Sequence, residues 1–145
     1  MDAGEQFAVE LARVSRQWRK RIDERLRHLD LTQARWMVLL QLSRMGAPVS
    51  QRELADIVGV EGPTLVRVLD NLERQGLVER RACNADRRVK LIELAQGAGP
   101  VIAEIGRIAA GLRQELLEGV PAGELERARE LLKIIADRLE SGPRG

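Results

Sequence analysis

Tyrosine is absent from this chain, phenylalanine occurs once (Phe7) and tryptophan twice (Trp18 and Trp36), so aromatics make up only 2% of its 145 residues. Proteins that hold single-stranded nucleic acid stack bases on aromatic platforms, and this scarcity counts against that mode. One cysteine, Cys83, and one histidine, His28, rule out an intrachain disulfide and argue against a tetrahedral Cys/His zinc site. No apolar run approaches the length of a membrane span, and the opening MDAGEQFAVE lacks a signal-peptide pattern. The expected location is therefore the cytoplasm by default, with no membrane partner. Catalytic constellations are missing as well. There is no Ser/His/Asp set, His28 has no evident partner, and the carboxylates are scattered along helix faces, so neither an enzyme nor a cofactor is expected.

What remains is a globular composition, 44% hydrophobic and 32% charged, long enough to bury a real core as a single unit over residues 1–145. The formal net charge is only +2, although the sequence pI is about 9.2. Total charge is thus a weak signal, and the placement of the arginines matters more.

The most informative stretch is Ser50 to Leu94. Ser50-Gln51-Arg52-Glu53 matches a capping box, with Ser at the cap and Glu three residues on. It predicts a short helix with Leu54, Ala55, Ile57 and Val58 inward, ending at Gly59, where a tight corner needs a positive φ. Gly62-Pro63 opens a second helix whose apolar face is Leu65, Val68, Leu69 and Leu72. At about 100° per residue the opposite face holds Pro63, Thr64, Arg67, Asp70, Asn71 and Arg74. That front suits the DNA major groove, where Arg can be bidentate to guanine, Asn to adenine, and a Thr methyl can meet a thymine methyl. Taken alone, the same pattern fits an ordinary amphipathic surface helix.

Gly76 stops this helix. Leu77–Ala82 and Arg88–Leu94 then read as two strands around the turn-forming Cys83-Asn84-Ala85-Asp86-Arg87. From Arg80 to Lys90 there are five cations (Arg80, Arg81, Arg87, Arg88 and Lys90) against the carboxylate of Asp86. A basic hairpin directly after a helix-turn-helix fits a groove of negative potential, with arginine reaching into a narrow minor groove. Cys83 is a small hairpin residue, or else a thiol whose pKa Arg80 and Arg81 lower.

The flanks are helical. From about Gly4 to His28, Phe7, Leu11, Val14, Trp18, Ile22 and Leu26 or Leu29 recur at spacings of three and four, with Arg16 and Arg19 among the cations on the other faces. Thr32 is expected to cap a mostly buried helix running to about Arg44, which Met45-Gly46-Ala47-Pro48 ends. After the Gly-rich joint at 95–100 come helices with Val101, Ile105, Ile108, Leu112 and Leu116, and with Leu125, Ala128, Leu132, Ile135 and Leu139. The tail Ser141-Gly142-Pro143-Arg144-Gly145 is expected to fray. Three long one-sided helices exceed what one small DNA-reading core can bury, so a homodimer is expected. A twofold protein reads a palindrome with two helices about one DNA turn apart.

LTQARWMVLLQL, SQRELADIVGVEGPTLVRVLDNLERQGLVERR and CNADRRVKLIEL together resemble the MarR family of bacterial transcriptional regulators, and most of all its SlyA branch. The specific parts are VEGPTLVR and the Asp86-x-Arg88 pair. The resemblance implies a mainly α fold with a small β-hairpin wing (α+β): a winged helix-turn-helix over 32–94, with dimerisation helices at 4–29 and 100–140. It implies duplex DNA as partner. The reading set would be Ser50, Gln51, Pro63, Thr64, Arg67, Asn71, Arg74, Asp86, Arg87 and Arg88, with Arg88 in the minor groove and Asp86 as the acidic partner that braces the arginines. Where the family often has Leu-Thr before its next helix, this chain has Leu94-Ala95, which removes a capping hydroxyl. The resemblance further implies release from DNA by a small aromatic carboxylate or phenolic ligand. Trp18, Trp36, Met37 and Leu40 would wall its cleft, with Arg16 or Arg19 as anion partner; each apolar residue fits equally in a core. Two rival readings are a SlyA-like regulator that mainly displaces other DNA-coating proteins, and a winged helix used for protein–protein contact.

Overall fold

In the computed structural model, which describes residues 1–142, the chain begins with a capping box at Asp2-Ala3-Gly4-Glu5, a local signal that the sequence reading passed over. Asp2 accepts from the Glu5 backbone N–H at 2.8 Å, and Glu5 accepts in return from the Asp2 N–H at 3.1 Å. This starts α1 (Ala3–Arg25), which passes into a 3-10 turn at Arg27–Leu29. Asp30 follows in the left-handed region at φ 54°, a conformation that Asp tolerates better than most residues, and turns the chain into α2 (Gln33–Met45). Thr32 stands at the cap of α2 with extended backbone, but its hydroxyl makes no capping bond, so the expected cap is positional only.

α2 is the centre of the first compact unit, Met1–Gly111, and packs against α1, α3, α4 and the sheet. Its buried residues are Trp36, Val38, Leu39 and Leu42. The Trp36 indole N–H is buried without a hydrogen-bond partner. Such an orphan costs about 1–3 kcal/mol, whereas burying about 200 Å² of tryptophan contributes on the order of 5 kcal/mol, so the packing outweighs the loss. Gly46, at φ 66°, ends α2.

β1 (Val49–Ser50) leads directly into α3 (Gln51–Val58). The Ser50 hydroxyl accepts from the Glu53 N–H at 3.1 Å, so the serine half of the capping box forms. The Glu53 return bond does not accompany it, and Ser50 is instead also a strand residue paired with Leu91. Leu54 and Val58 are buried, but Ile57, expected inward, is 44% exposed. It lies about 100° round the helix from Val58 and about 60° from Leu54 on the opposite side, beyond the packed face. Gly59 makes the corner at φ 78°. α4 (Gly62–Arg74) then buries Leu65, Val68, Leu69 and Leu72, as its periodicity predicts.

β2 (Val78–Ala82) and β3 (Lys90–Leu94) form the hairpin. Two differences from the sequence reading stand out. The sheet has three strands in the order β1-β3-β2, because the two residues of β1 pair with β3. A strand so short carries no alternation to detect. Arg88 lies in the turn rather than in the second strand, since Asp86 O accepts from the Val89 N–H and closes a tight turn over 86–89. After β3, Ala95 donates its N–H to Leu77 O, a 3-10 turn spans Gln96–Ala98, and α5 (Gly99–Leu117) begins without the missing hydroxyl. Helix-turn-helix and wing together make this a winged helix.

α5 buries Ile105, Ile108, Ala109 and Leu112. His28 does find a partner, its Nε2 lying 3.3 Å from Glu104 Oε1 on α5. The second unit, from Leu112 onward, holds the end of α5 and α6 (Ala122–Glu140), and α6 buries none of its side chains. Of the tail expected to fray, Pro143, Arg144 and Gly145 lie outside the described residues.

Nothing crowds a methyl group at Gly59, so the cost of Gly59→Ala is the left-handed backbone alone. The expected loss is about 1–2 kcal/mol of unfolding free energy, read as a lower denaturation midpoint at unchanged m-value.

Candidate nucleic-acid interface

The burial of one side of α4 decides what its other side offers. Pro63 and Arg67 are exposed at its front, with Thr64, Asp70 and Asn71 half-buried beside them and Arg74 exposed in the last turn. Thr64, Arg67, Asp70, Asn71 and Arg74 line a shallow cleft of about 410 Å³. Arg67 donates from Nη2 to Thr64 Oγ1 at 3.3 Å, and Arg74 donates from Nε to the Asp70 carbonyl at 3.3 Å. These are weak local bonds that hold both guanidiniums along the helix without consuming them.

Two further residues complete this cleft from α2, Thr32 and Arg35. Sequence reading gave Thr32 only a capping role and Arg35 none. Nothing local marks them, because only the packing of α2 on α4 brings its first turn to the exposed side of α4.

A second cleft, of about 740 Å³, lies between α3, the corner and the wing. Among its lining residues are Ser50, Gln51, Arg52, Arg88 and Lys90. The structure thus gathers Ser50 and Gln51 with Arg88, and separately Thr64, Arg67, Asn71 and Arg74. Pro63 is exposed at the start of α4 but lines neither cleft.

On the wing, Asp86 holds Arg88 by three bonds. The backbone N–H and Nε of Arg88 donate to Oδ1, each at 3.1 Å, and Nη2 donates to Oδ2 at 3.2 Å. The Arg88 side chain is nevertheless 91% exposed, so it stands clear of the protein while its direction is set from one edge. Arg87 is exposed, and among the described residues neither it nor Lys90 has an ion-pair partner. The five wing cations therefore divide. Arg81 pairs with Glu93 at 3.2 Å on the neighbouring strand. Arg80, only 22% exposed, reaches back to α4, to Asp70 at 2.6 Å and Glu73 at 3.0 Å. The outward-facing charge is thus Arg87, Arg88 and Lys90, and Arg80 and Arg81 belong to the scaffold. Cys83 is a free, half-buried thiol whose backbone N–H donates to Val89 O at 2.8 Å. Both arginines expected to act on it are engaged by carboxylates.

The six residues expected at a ligand cleft sit on two helices. Arg16 and Arg19 are exposed on α1 and Trp18 is half-buried there, while Met37 and Leu40 are half-buried on α2 and Trp36 is in the core. None of them lines either cleft described above. Among the described residues, no group of three or more His, Cys, Asp or Glu side chains is placed to hold a metal ion, and no helix is long and apolar enough to cross a membrane.

The hydrogen bonds from the Arg88 side chain, and then its backbone N–H, hold the Asp86 carboxyl below the usual carboxylate range. A carboxylate depressed in the folded state contributes at neutral pH and loses that contribution as pH falls through its folded value. Asp86 is therefore expected to titrate lower than an ordinary aspartate by carboxyl-carbon NMR, and Arg88→Ala should move it upward. An unchanged titration would show that Arg88 does not brace it.

A model of the MarR family matches residues 29–89. The chain is similar to the transcriptional regulator PA3341, whose crystal structure superposes with a TM-score of 0.87 at 49% identity, covering 94% of this chain and 99% of that one. It is also similar to a cysteine-to-serine variant of MarR from E. coli solved in complex with operator DNA (TM-score 0.76, 27% identity, 93% and 99% covered). A third similar structure is the transcriptional regulator BldR from Sulfolobus solfataricus (TM-score 0.84, 26% identity, 96% and 100% covered). With half its residues identical to one regulator along nearly the whole of both chains, and its winged-helix segment matched by the family model, the chain belongs to the MarR family of transcriptional regulators.

Proposed function

We propose that this protein is a homodimeric regulator that binds a palindromic operator in duplex DNA. The observation that carries the reading is the two-sidedness of α4. Four fully apolar side chains anchor its back, which leaves Pro63, Thr64, Arg67, Asn71 and Arg74 as a front, with the exposed Arg87 and Arg88 on the adjoining wing. Arg67 has the reach and fork geometry to take a guanine edge in the major groove, Asn71 an adenine edge, and Thr64 a thymine methyl. Arg88, aimed by Asp86, suits a narrow minor groove beside it. Ser50 and Gln51, at the start of α3 in the wing-side cleft, suit phosphate contacts that fix register. The solved complex of the MarR variant with operator DNA supports the same use of the fold.

Dimerisation is supported by apolar stripes that this single chain leaves in solvent. Phe7, Leu11 and Val14 on α1, and Leu125, Leu132 and Leu139 on α6, are all exposed. Large exposed apolar surface marks an interface, and an obligate dimer would cover about 2,000 Å² or more. The VEGPTLVR opening of α4 supports a place on the SlyA branch. Release by a small aromatic carboxylate or phenol, bound near Arg16, Trp18, Arg19, Trp36, Met37 and Leu40, completes the proposal. It is supported by the two exposed cations and the half-buried apolar residues of α1 and α2.

Selection of bound sites from random duplex DNA tests the reading, with recovery of a palindrome and a steep salt dependence as the expected result. On the selected site, Arg67→Ala is expected to cost about 1–3 kcal/mol and to relax base choice at one position. Arg88→Ala should weaken binding chiefly where the flanking minor groove is narrow; equal losses on selected and random DNA would contradict both roles. Titration with a panel of aromatic carboxylates and phenols should lower DNA affinity, and constant affinity across the panel would remove the ligand from the proposal.

A further inference from the structure

The front of α4 contains a residue that does not suit a surface for DNA. Asp70 lines the same cleft as Thr64, Arg67, Asn71 and Arg74, and Glu73 follows it by three residues. Duplex DNA carries one negative charge per about 1.7 Å of axis, so free carboxylates there would repel the backbone. Both are held from the wing. Arg80 Nη2 donates to Asp70 Oδ1 at 2.6 Å and to Glu73 Oε1 at 3.0 Å, and Arg80 Nε donates to Glu73 Oε2 at 3.4 Å. This fork grips Glu73 through both oxygens while spanning to Asp70, a geometry that a lysine ammonium cannot reproduce.

Arg80 is also unlike the other wing cations. Its side chain is 22% exposed where that of Arg88 is 91% exposed, so it is turned inward onto α4 and cannot serve as a groove arginine. The hydrogen bond from Arg80 is the largest influence on Glu73, holding its carboxyl below the ordinary range, and Glu73 in turn raises Arg80.

We infer that Arg80 is a positioning residue for DNA recognition, masking the carboxylates of Asp70 and Glu73 and drawing them toward the wing, away from the approaching phosphates. The inference rests on the DNA-reading function proposed above. One cation against two carboxylates lowers the negative charge at that edge of the helix from two to one. It also fixes where the remainder lies, which leaves Arg67 and Arg74 as the dominant local charges. The competing role for Asp70 is to accept from a cytosine amino group. The clasp opposes it by occupying Oδ1 of that carboxylate.

The test uses the duplex selected above and four proteins: wild type, Arg80→Ala, the double variant Asp70→Asn/Glu73→Gln, and the triple variant combining all three changes. Masking predicts that Arg80→Ala binds about tenfold more weakly at low salt, with a deficit that narrows as salt screens the uncovered carboxylates. The triple variant, with nothing left to mask, should return to within about threefold of wild type, because only charge and not geometry has been restored. The double variant, which keeps Arg80, should bind at least as tightly as wild type. Should Arg80→Ala fail to fold, the double variant still decides the matter, since loss of binding there would mean that the clasp or Asp70 itself is what DNA needs. A triple variant as weak as Arg80→Ala, or a deficit independent of salt, overturns the masking role. If wild type binds no duplex, the DNA reading fails with it; if wild type binds and the triple variant does not recover, the masking alone fails.

Discussion

The rotation of α4 about its own axis is fixed by four side chains, and every functional property of the molecule is subordinate to it. Leu65, Leu69 and Leu72 are fully buried and Val68 nearly so. At about 1.5–3 kcal/mol for each such side chain, the stripe contributes about 6–12 kcal/mol, comparable to the whole net stability of a small domain. A slip of one residue would turn the helix by about 100° and bring Val66, Asp70 and Glu73 toward the core, where a carboxylate is far too costly. The exposed face of α4, proposed above to read DNA, is therefore a consequence of the core. α2 supplies the other half of this constraint, since its own buried residues meet α3, α4 and the sheet at once.

Charge on the wing is organised in two layers. Arg80 and Arg81 are spent within the fold, the first on α4 and the second across the strands. There Glu79 lies directly opposite Glu93, and Arg81 offsets that repulsion from the diagonal position. Arg87, Arg88 and Lys90 form the outer layer. Local net charge counted along the chain overstates what a partner meets, because the inner layer is already neutralised when the partner arrives.

Most of the architecture was legible from periodicity and punctuation. The stripe of α4, the glycine corners at Gly46, Gly59 and Gly76, and the hairpin are local signals, and residues within a few positions of one another decide them. Some missed features are local, such as the Asp2–Glu5 box and the turn that takes in Arg88, but most are non-local. The third strand consists of Val49 and Ser50, whose pairing depends on β3 arriving some forty residues later. Arg35 and Thr32 join the α4 cleft only because two helices pack. Arg80 looked like a groove arginine because its partners, seven and ten residues back, lie on a different element. A bracing role for Asp86 came from the family resemblance, and the structure narrows it to Arg88, two residues on. The proposed recognition roles of Ser50, Gln51, Pro63, Thr64, Arg67, Asn71, Arg74, Arg87 and Arg88 rest on which face they occupy, and the ligand set rests on less, its members being divided between core and surface.

Ser50 belongs to two structures at the same time. Its backbone is a rung of the ladder to β3, and its hydroxyl caps α3 through the Glu53 N–H. A helix of eight residues has little stability of its own and ordinarily frays from its ends. Here the start of α3 cannot loosen without also disturbing the strand pair that roots the wing, and the wing cannot swing from its base without pulling on the cap. The start of α3 and the root of the wing are thus tied to each other through the backbone and the side chain of one serine, so a substitution there is felt by both.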